Sequence, residues 1–495
     1  MDRTQLARRS ALVVGWLVVS FAVAVPLFLG SQRELVVASH ESVVRPTFTG
    51  ELVVHTGPVL PDVRRSSGSA LGVDITLGKT EARTTTELLQ RYAFIASQPA
   101  TQVATVRDAV LDMAVAALLR GALVAAVPFA VWWLLGRRRR SELWARAKGP
   151  RLVPVVGVTA LATLLVWQPW QVRPPEVEDQ GWQSLASFLG PDIPLPAEVD
   201  GVEVSASLTT DETKRLIASA VDSYERSKTF YAQAEEDAAL LRLRQPEAGE
   251  TVAILVSDRH DNIGMDPVAR AIGDAAGATA VLDAGDDTST GKSWETFSLD
   301  SLNKAFAGYE RFSVAGNHDH GGFVSDYLRE HGWVTLDGEV VAGPGGSTLL
   351  GVNDPRSSGL GTWRDETGLS FAEQADLIAD AACAVTERVS TLMVHDAASG
   401  QPALERGCVD LVIGGHLHVQ VGPTAVVGSN GSVGHSYTNG TTGGAAYAIA
   451  VGSKLRREAQ VTLITYRDSR PVGLQPVTLQ TNGVFTVSRY LALTY

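Results

Sequence analysis

The stretch TVAILVSDRH at residues 251–260 decides the fold, because an apolar, β-branched run ends there in Asp258, Arg259 and His260. Such a run predicts a buried strand, and the polar residues after it lie where the strand ends in a loop. Four later stretches repeat this arrangement: Gly285-Asp286-Asp287, Gly316-Asn317-His318-Asp319, His395-Asp396 and Gly415-His416-Leu417-His418. Since catalytic groups in layered α/β folds collect at the carboxyl ends of strands, the five stretches predict one site.

Strand and helix patterns alternate through this part of the chain. The predicted buried strands are 251–257, 279–283, 311–315, 348–352, 391–394 and 411–413, with helices such as 298–307 and 370–384 among them. Closely spaced strands follow at 446–451, 460–466 and 473–480. Helix-separated strands followed by an antiparallel run predict a layered α/β sandwich.

Length and composition indicate several units, some of them in a membrane. The chain has 495 residues, which exceeds an ordinary single domain, and 45% of them are hydrophobic. Its formal net charge of -12 argues against nucleic acid as a stable partner, because a phosphate-binding surface is usually basic.

Three apolar stretches, 11–30, 113–136 and 152–170, are candidates to span a lipid bilayer. Arginines precede the first, and a basic loop joins the other two, so the positive-inside rule places both basic regions in the cytoplasm. This predicts a multi-pass bacterial plasma-membrane protein with its catalytic domain outside. The first stretch could instead be a cleaved signal peptide, although no clear small-x-small site follows it. Arg120 is expected to snorkel to the outer interface; a functional intramembrane arginine is the alternative.

The predicted organisation has five parts. They are a cytoplasmic N-terminus with the first transmembrane helix (1–30), a small extracytoplasmic domain with short strands and a helix near 85–96 (31–110), two transmembrane helices joined by the basic loop (111–170), a linker with some strand near 202–208 and an amphipathic helix (171–250), and the catalytic domain (251–495). The two cysteines are Cys383 and Cys408. They could form an extracytoplasmic disulfide or remain as two buried free thiols.

The series Asp-x-His, Gly-Asp, Gly-Asn-His-Asp, His and Gly-His-x-His, spread in this order over about 252–466, resembles the calcineurin-like metallophosphoesterase family. The resemblance implies an α-β-β-α sandwich and a site for two divalent metal ions. By resemblance, the first metal would be held by Asp258, His260, Asp286 and His418, and the second by Asp286, Asn317, His395 and His416. A carboxylate is a natural bridge between two cations, and these mixed nitrogen and oxygen ligands leave Mn, Fe, Zn and Co open.

The resemblance also implies roles in the reaction. A hydroxide between the metals would attack phosphorus in line, His318 would face the leaving oxygen and donate a proton or hydrogen bond, and Asp319 would orient His318. Thr288 and Ser289 depart from the family, which often has an acidic residue or Asn shortly after its Gly-Asp.

Four further features are candidates for binding the substrate, each beside an ordinary structural explanation. Arg259 could touch a substrate phosphate or pair with a nearby carboxylate. His320 could line the pocket or lie on the surface. Arg356 could reach the pocket from a turn, and the glycine-rich stretch 439–444 could present backbone N–H groups to a phosphate, although an ordinary loop is favoured for both.

Three functions are compatible with these features. The leading hypothesis is a membrane-anchored extracytoplasmic phosphatase or phosphodiesterase. The second is a sensor or scaffold that binds metal without chemistry, which the intact ligand set and His318 argue against. The third is a transport unit with a regulatory domain, but a single basic loop without a charged or broken helix pair indicates an anchor.

Overall fold

The computed structural model describes residues 3–37, 40–56, 61–80, 99–146, 181–190, 201–205, 226–319, 321–359, 362–365, 368–445 and 455–495. These residues divide into two units. The first contains the described residues up to 205, and the second contains those from 226 onward.

A seven-stranded sheet forms the polar part of the first unit. Its strands are β1 (Arg33–Val37), β2 (His40–Thr47), β3 (Glu51–His55), β4 (Val63–Ser66), β5 (Gly72–Thr80), β6 (Trp182–Ser184) and β7 (Glu203–Ser205), in the order β1-β2-β5-β3-β4-β7-β6. Strand β2 alternates buried and exposed residues, as a sheet with one covered face requires. The stretch 171–250 was expected to be a linker with some strand near 202–208; β7 lies in that range, whereas β6 was not expected, and both extend this sheet.

Two long helices accompany the sheet. The helices of this unit are α1 (Arg3–Leu29), α2 (Pro99–Leu134), α3 (Gly136–Arg146) and α4 (Leu185–Leu189). Small residues let α1 and α2 approach closely, because a Cβ added at Gly121 would lie 2.5 Å from Ser20 O and 3.0 Å from Ala24 Cβ. Trp16 Nε1 donates to Ala122 O at 3.1 Å.

The described residues contain one helix long and apolar enough to cross a membrane, Val103–Val127 within α2. The apolar part of α1, Val13–Leu29, is shorter. The prediction of three spans is therefore matched by one candidate in the part of the chain that the structure describes. The third predicted span (152–170) and the helix predicted near 85–96 lie outside the described residues.

The second unit is a sandwich of two sheets, with a small hairpin beside it. Sheet I contains β8 (Glu250–Val256), β9 (Ala280–Asp283), β10 (Glu310–Ser313), β11 (Val334–Thr335), β20 (Ala459–Arg467), β21 (Arg470–Leu479), β22 (Phe485–Val487) and β23 (Leu491–Ala492). Sheet II contains β12 (Val340–Ala342), β13 (Thr348–Val352), β16 (Val389–Val394), β17 (Val409–Gly414), β18 (Val421–Val427) and β19 (Val433–Thr438). The hairpin consists of β14 (Arg356–Gly359) and β15 (Thr362–Asp365).

The order in sheet I is β11-β10-β9-β8-β20-β21-β22, and that in sheet II is β12-β13-β16-β17-β19-β18. Strands β8 to β11 are parallel, as are β13, β16, β17 and β19, whereas the later strands of sheet I are antiparallel. Every strand predicted between 251 and 413 is present. The predicted strand 446–451 lies outside the described residues.

Three apolar layers hold this sandwich together. The central layer, between the sheets, includes Leu255, Leu282, Met393 and Ile413. The outer face of sheet I is covered by α5 (Met265–Ala275), α6 (Thr296–Ala305), α7 (Phe323–Glu330) and a helical segment, 226–239; that of sheet II is covered by α8 (Phe371–Ala384) and α9 (Gln401–Glu405). The arrangement is a mixed α-β-β-α sandwich, as the resemblance implied.

Two local features fix α8. Ser370 and Glu373 form a reciprocal capping box at its first turn. At its other end, Cys383 is joined in a disulfide to Cys408, just before β17, with the two Cα atoms 5.1 Å apart. The structure therefore selects the disulfide over two free thiols.

Candidate metal centre

The five polar stretches meet where strands of both sheets end. Asp258 follows β8, Asp286 follows β9, Asn317 follows β10, His395 follows β16 and His416 follows β17. All of them except the partly buried His416 have side chains that are nearly or fully buried. The sequence prediction that these strand ends form one site is therefore matched by their placement.

Left-handed backbone conformations are concentrated in this site. Six non-glycine residues have φ between 45° and 70°: Asp258, His260, Asp261, Asp286, His416 and His418. Elsewhere in the described residues only Asp468 and Ser469 share this conformation. Such backbone costs about 1 kcal/mol or more per residue and persists only where surrounding contacts enforce it. Here it turns successive side chains toward one point.

Close approach explains the glycine that opens three of the motifs. A Cβ added at Gly415 would lie 2.6 Å from Ser257 Oγ and closer still to a carboxylate oxygen of Asp258. One at Gly316 would lie 2.5 Å from Asp286 N, and one at Gly285 would lie 2.8 Å from Gly316 Cα. These glycines let the strand-end loops touch one another.

The first close group of possible ligands is Asp258, His260 and His418. The two Nε2 atoms of His260 and His418 are 3.0 Å apart. Asp258 Oδ1 lies 3.4 Å from His418 Nε2, and Asp286 Oδ2 lies 3.7 Å from His260 Nε2. Two nitrogens bound to one ion at about 2.1 Å each would be about 3 Å apart, so this spacing suits a shared cation.

The second close group is Asp258, Asp286 and His395. His395 Nε2 lies 3.2 Å from Asp286 Oδ2 and 4.0 Å from Asp258 Oδ1. His416 Nδ1 and Asn317 Oδ1 are 3.0 Å apart, and the backbone N–H of His416 donates to both oxygens of Asp258. Asp286 thus contacts both groups, as a bridging ligand must, while the assignment of each ligand to one metal stays a prediction.

The donor set fits a divalent cation. His395 Nδ1 is 2.8 Å from the Ala284 carbonyl, which accepts its N–H, so the buried and unpartnered Nε2 carries the lone pair. That lone pair faces Asp286, and two electron-rich atoms at this distance repel unless a cation lies beside them. His418 repeats the arrangement, because its Nδ1 lies 3.0 Å from Ala445 O and its Nε2 faces Asp258.

The electrostatics of the site lead to the same conclusion. Burial lowers the pKa of His260 to about 3, so this imidazole is neutral and available as a ligand. Burial opposes ionisation of Asp286, but the neighbouring His395 and His260 hold its pKa below the usual value. Burial likewise opposes a charge on His395, yet Asp286 raises the pKa of His395 well above the usual value. Without a metal, a proton therefore takes the cation's place.

Asp319 does not pair with the side chain of His318, which corrects the sequence expectation. Its Oδ2 accepts the backbone N–H groups of Asp286, Asp287 and Gly316 at 2.6, 3.1 and 3.1 Å. Its Oδ1 accepts from Thr288 N and Oγ1 at 2.9 and 2.8 Å. His318 instead contacts the Ser289 carbonyl through Nδ1, at 3.0 Å. Asp319 therefore shapes the loop that carries Asp286.

Arg259 pairs with buried carboxylates and does not face a substrate. It is fully buried and forms a two-point ion pair with Asp266, at 2.8 and 2.7 Å. Its guanidinium also donates to Asp287 Oδ1 at 2.9 Å and to Ser298 O at 3.1 Å. Because these contacts engage Nε, Nη1 and Nη2, Arg259 has no route to a substrate phosphate.

The other proposed substrate contacts have different outcomes. Arg356 Nη2 lies 3.1 Å from Asp396 Oδ2, which is 3.9 Å from His416 Nε2, so Arg356 comes near the metal centre. The stretch 439–444 uses its N–H groups internally: Thr442 N donates to Ser257 O and Gly443 N to Asp258 O, so it supports the loop after β8. His320 lies outside the described residues.

Two supporting contacts gave no signal in the sequence. Glu295 accepts the N–H groups of Ser289, Thr290 and Lys292, and so holds the loop that binds His318. Asn262, just after the Asp-x-His motif, donates to Tyr231 OH at 2.7 Å, in the helical segment 226–239. Both join residues whose contact depends on the finished fold, which spacing alone does not encode.

The comparison with protein families agrees with this geometry. Residues 253–420 match the calcineurin-like phosphoesterase family, so the chain contains a domain of a metal-dependent phosphoric ester hydrolase. The resemblance recognised from the motifs is thereby confirmed for this part of the chain. A solved structure described as a novel archaeal phosphodiesterase is 13% identical in sequence, with a TM-score of 0.27. The match covers 49% of this chain and 100% of the chain in that structure. No curated protein matches the chain significantly.

Proposed function

We propose that this chain is a membrane-anchored, extracytoplasmic phosphoesterase that uses two divalent cations to hydrolyse phosphate mono- or diesters. The observation that carries the proposal is that the Nε2 atoms of His395 and His418 lie 3.2 Å and 3.4 Å from the carboxylates of Asp286 and Asp258, while each Nδ1 is engaged by a backbone carbonyl. A domain that only binds a partner has no need to bring these four groups together, three of them (Asp258, Asp286 and His418) in strained backbone.

The ligands proposed for the two cations are Asp258, His260, Asp286 and His418 for the first, and Asp286, Asn317, His395 and His416 for the second. Metal ions held by these residues would supply Lewis acidity, which makes water more acidic and neutralises charge on phosphoryl oxygens. The identity of the metal is left open among Mn, Fe, Zn and Co.

His318 is the proposed donor to the leaving oxygen. Its backbone N–H donates to Asp286 Oδ1 at 2.7 Å, and its ring lies edge-on to that of His260, with centroids 5.0 Å apart. Since Nδ1 donates to the Ser289 carbonyl, Nε2 is the ring atom left to face the substrate, and it would donate to the leaving oxygen as part of an imidazolium. Asp286 and Ser289 thus fix the ring at the edge of the metal centre.

The arrangement of the first unit supports three membrane crossings. Strands β3 and β4 lie between α1 and α2 in the chain, whereas β7 comes after α2, yet Val63 of β4 pairs with Val204 of β7. The Arg64–Glu203 ion pair, at 2.6 Å, joins the same strands. If α1 and α2 both cross the bilayer, a third crossing before β6 is needed to bring β7 back. Residues 152–170 are apolar enough to supply it.

Three further features favour this anchor and its orientation. Both helices expose apolar side chains along their length, such as Val14 (58%) and Leu123 (70%). The basic run Arg137–Arg140 follows α2, on the side that the positive-inside rule assigns to the cytoplasm. The disulfide between Cys383 and Cys408 suits an oxidising compartment.

Labelling of introduced cysteines in intact spheroplasts tests the orientation, because both native cysteines are in the disulfide. Ser187→Cys, on the sheet side, should react with a membrane-impermeant maleimide. Ser141→Cys, in the basic region, should react only after lysis. Labelling of Ser141→Cys in intact spheroplasts, with Ser187→Cys protected, would show the opposite orientation in the membrane.

Hydrolysis of mono- and bis-(p-nitrophenyl) phosphate by the full chain in lipid nanodiscs tests the activity. Turnover should require Mn²⁺ or a similar ion, stop with EDTA and be lost in Asp286→Asn. The matched control is Asp326→Asn, which removes an exposed carboxylate of α7 (65%) and should retain turnover. A folded, metal-loaded protein that hydrolyses neither ester would favour a metal-binding sensor or scaffold.

A further inference from the structure

An apolar surface begins inside the metal-binding motif itself. Leu417 stands between two proposed ligands, His416 and His418, and is 51% exposed, while Val419 and Val421 are 45% and 47% exposed. Leu417 and Val419 lie in the loop after β17, and Val421 is the first residue of β18. In this loop the two histidines are largely buried, whereas the apolar residues next to them face solvent, which reverses the usual distribution. We call Leu417, Val419 and Val421 the apolar rim.

Strand register places the apolar rim at the same end of sheet II as the ligands. Val421 pairs with Thr438 of β19, and Thr438 pairs with Gly414, two residues before His416. Strand β18 then runs antiparallel to β19, so Val427, which pairs with Val433, lies at the opposite end of the strand. Six residues of strand correspond to about 20 Å. The exposed valines near the site can thus be compared with one far from it.

Strand β18 is poorly suited to pairing with another strand, although it is the edge of sheet II. Its register shifts between Val421 and Thr424, and Pro423 lacks a backbone N–H to donate. Both features interrupt the hydrogen-bonding edge that a partner strand would use. Beside the metal centre this edge therefore offers the apolar side chains of the rim, while Gln420 between them is hydrogen-bonded to Gly422 O and Gln460.

We propose that the apolar rim binds the hydrocarbon part of an amphiphilic phosphate ester, such as a lipid phosphate. The inference rests on the proposed function, because it requires a substrate phosphate at the metal centre. An ester group held there by the ligands next to Leu417 has its substituent within reach of the rim. A hydrocarbon removes the rim from water, whereas a sugar or nucleoside would desolvate its own polar groups against valine and leucine without hydrogen bonds in return.

The size of the effect follows from the area that each methylene can bury. Complete burial of one methylene is worth about fourfold in binding, and contact on one side only about twofold. Five additional methylenes along the rim should therefore improve binding about 30-fold.

The test compares p-nitrophenyl methyl phosphate with p-nitrophenyl hexyl phosphate, which share the leaving group and differ by five methylenes. With the full chain in nanodiscs, kcat/KM should be about 30-fold higher for the hexyl ester. Val419→Asn combined with Val421→Asn should reduce this ratio to a few-fold, and Leu417→Asn should lower it too. Val427→Asn, an identical change at an exposed position (70%) far from the site, should keep the ratio.

The ratio of the two esters is independent of the amount of active, metal-loaded enzyme, so partial misfolding of a variant does not imitate the effect. Equal kcat/KM for both esters in the unaltered protein would overturn the proposal. So would a ratio that falls as much in Val427→Asn as in the rim variants.

Calorimetric binding of methyl- and hexylphosphonate separates the rim from the proposed activity, because neither ligand can be hydrolysed. Empty nanodiscs correct for partition of the ligand into lipid. Hydrolysis without chain-length dependence would refute the rim and leave the hydrolase. Chain-length-dependent binding without hydrolysis of any ester would refute the hydrolase and leave the rim.

Discussion

Asp319→Asn should weaken metal binding through the loop that holds Asp286, and not through His318. The carboxylate accepts five hydrogen bonds, from the N–H groups of Asp286, Asp287, Gly316 and Thr288 and from the Thr288 hydroxyl. An asparagine can keep its oxygen toward the first three donors, but then turns its NH₂ group toward Thr288. The Thr288 hydroxyl can rotate and accept, so one buried N–H, that of Thr288, loses its acceptor.

The net effect combines a penalty with a partial relief. An unpaired buried N–H costs about 1–3 kcal/mol, and the loss of charge weakens three more hydrogen bonds by a few tenths of a kcal/mol each. Against this, burial raises the pKa of Asp319 to about 7, and the nearby Asp287 and Asp286 carboxylates add to the shift, so removing its charge offsets part of the penalty. We expect a net destabilisation of the loop by about 2 kcal/mol, which is roughly 30-fold in metal affinity.

Titration calorimetry of Mn²⁺ into the full chain measures this affinity, with Asp326→Asn as the control for removal of an exposed carboxylate. The dependence of kcat on leaving-group pKa, measured beside His318→Asn, separates the two roles. If Asp319→Asn leaves metal affinity unchanged and reproduces the leaving-group dependence of His318→Asn, the assignment of Asp319 to the loop is wrong.

Gly415→Ala should lower kcat/KM about 100-fold, because its Cβ must displace Asp258 by about 1 Å; Gly322→Ala, whose Cβ would meet only the tip of Asp326, serves as control, and equal kinetics in both variants would contradict the close approach. Arg259→Met should reduce the free energy of unfolding by about 3–5 kcal/mol in urea denaturation, because it leaves buried carboxylates unpaired. If the substitution instead changes only KM, Arg259 contacts the substrate. Hydrogen bonds to Asp74 and Asp62 raise the pKa of His55 to about 9, so its stabilising contribution is complete below about pH 6.5 and is lost as the pH rises through about 9. The Tm difference between the unaltered chain and His55→Asn should therefore be largest at pH 6 and should disappear by pH 10. A difference that does not change with pH would show that protonated His55 does not pair with Asp74 and Asp62.

The order of the motifs predicted which residues form the candidate metal centre better than it predicted which residues hold them in place. Ligand residues could be predicted because each motif combines an apolar strand with a residue type that only a few chemistries use. The partners of Arg259 and Asp319 could not, because Arg259 meets Asp287 28 positions away and Asp319 reaches back 31 to 33 positions to its loop. Both residues are charged groups beside a metal site, where sequence gives the same signal for a substrate contact and for a structural one.

The fold shows a similar division. Strands β8, β9 and β17 were predictable because burial on both faces makes them continuous apolar runs. Strand β7 lies where a strand was expected, near 202–208, but β6 was not predictable, since a three-residue edge strand in a polar, proline-containing stretch resembles a linker. Pairing of β7 with β4, which precedes α2 in the chain, makes that stretch part of the first sheet.

The helical segment 226–239 shows that the folded hydrolase domain begins earlier in the chain than its recognisable motifs. It precedes the family match, yet Tyr231, Ala234 and Ala238 are buried in the apolar layer over sheet I, and Tyr231 fills the space beside Gly264. A chain cut at residue 251 would leave that layer open to water and Asn262 without its tyrosine. The smallest autonomous hydrolase is therefore larger than its recognisable signature, and a transplanted domain that starts at the signature would carry the ligands but lack part of the packing that orients them.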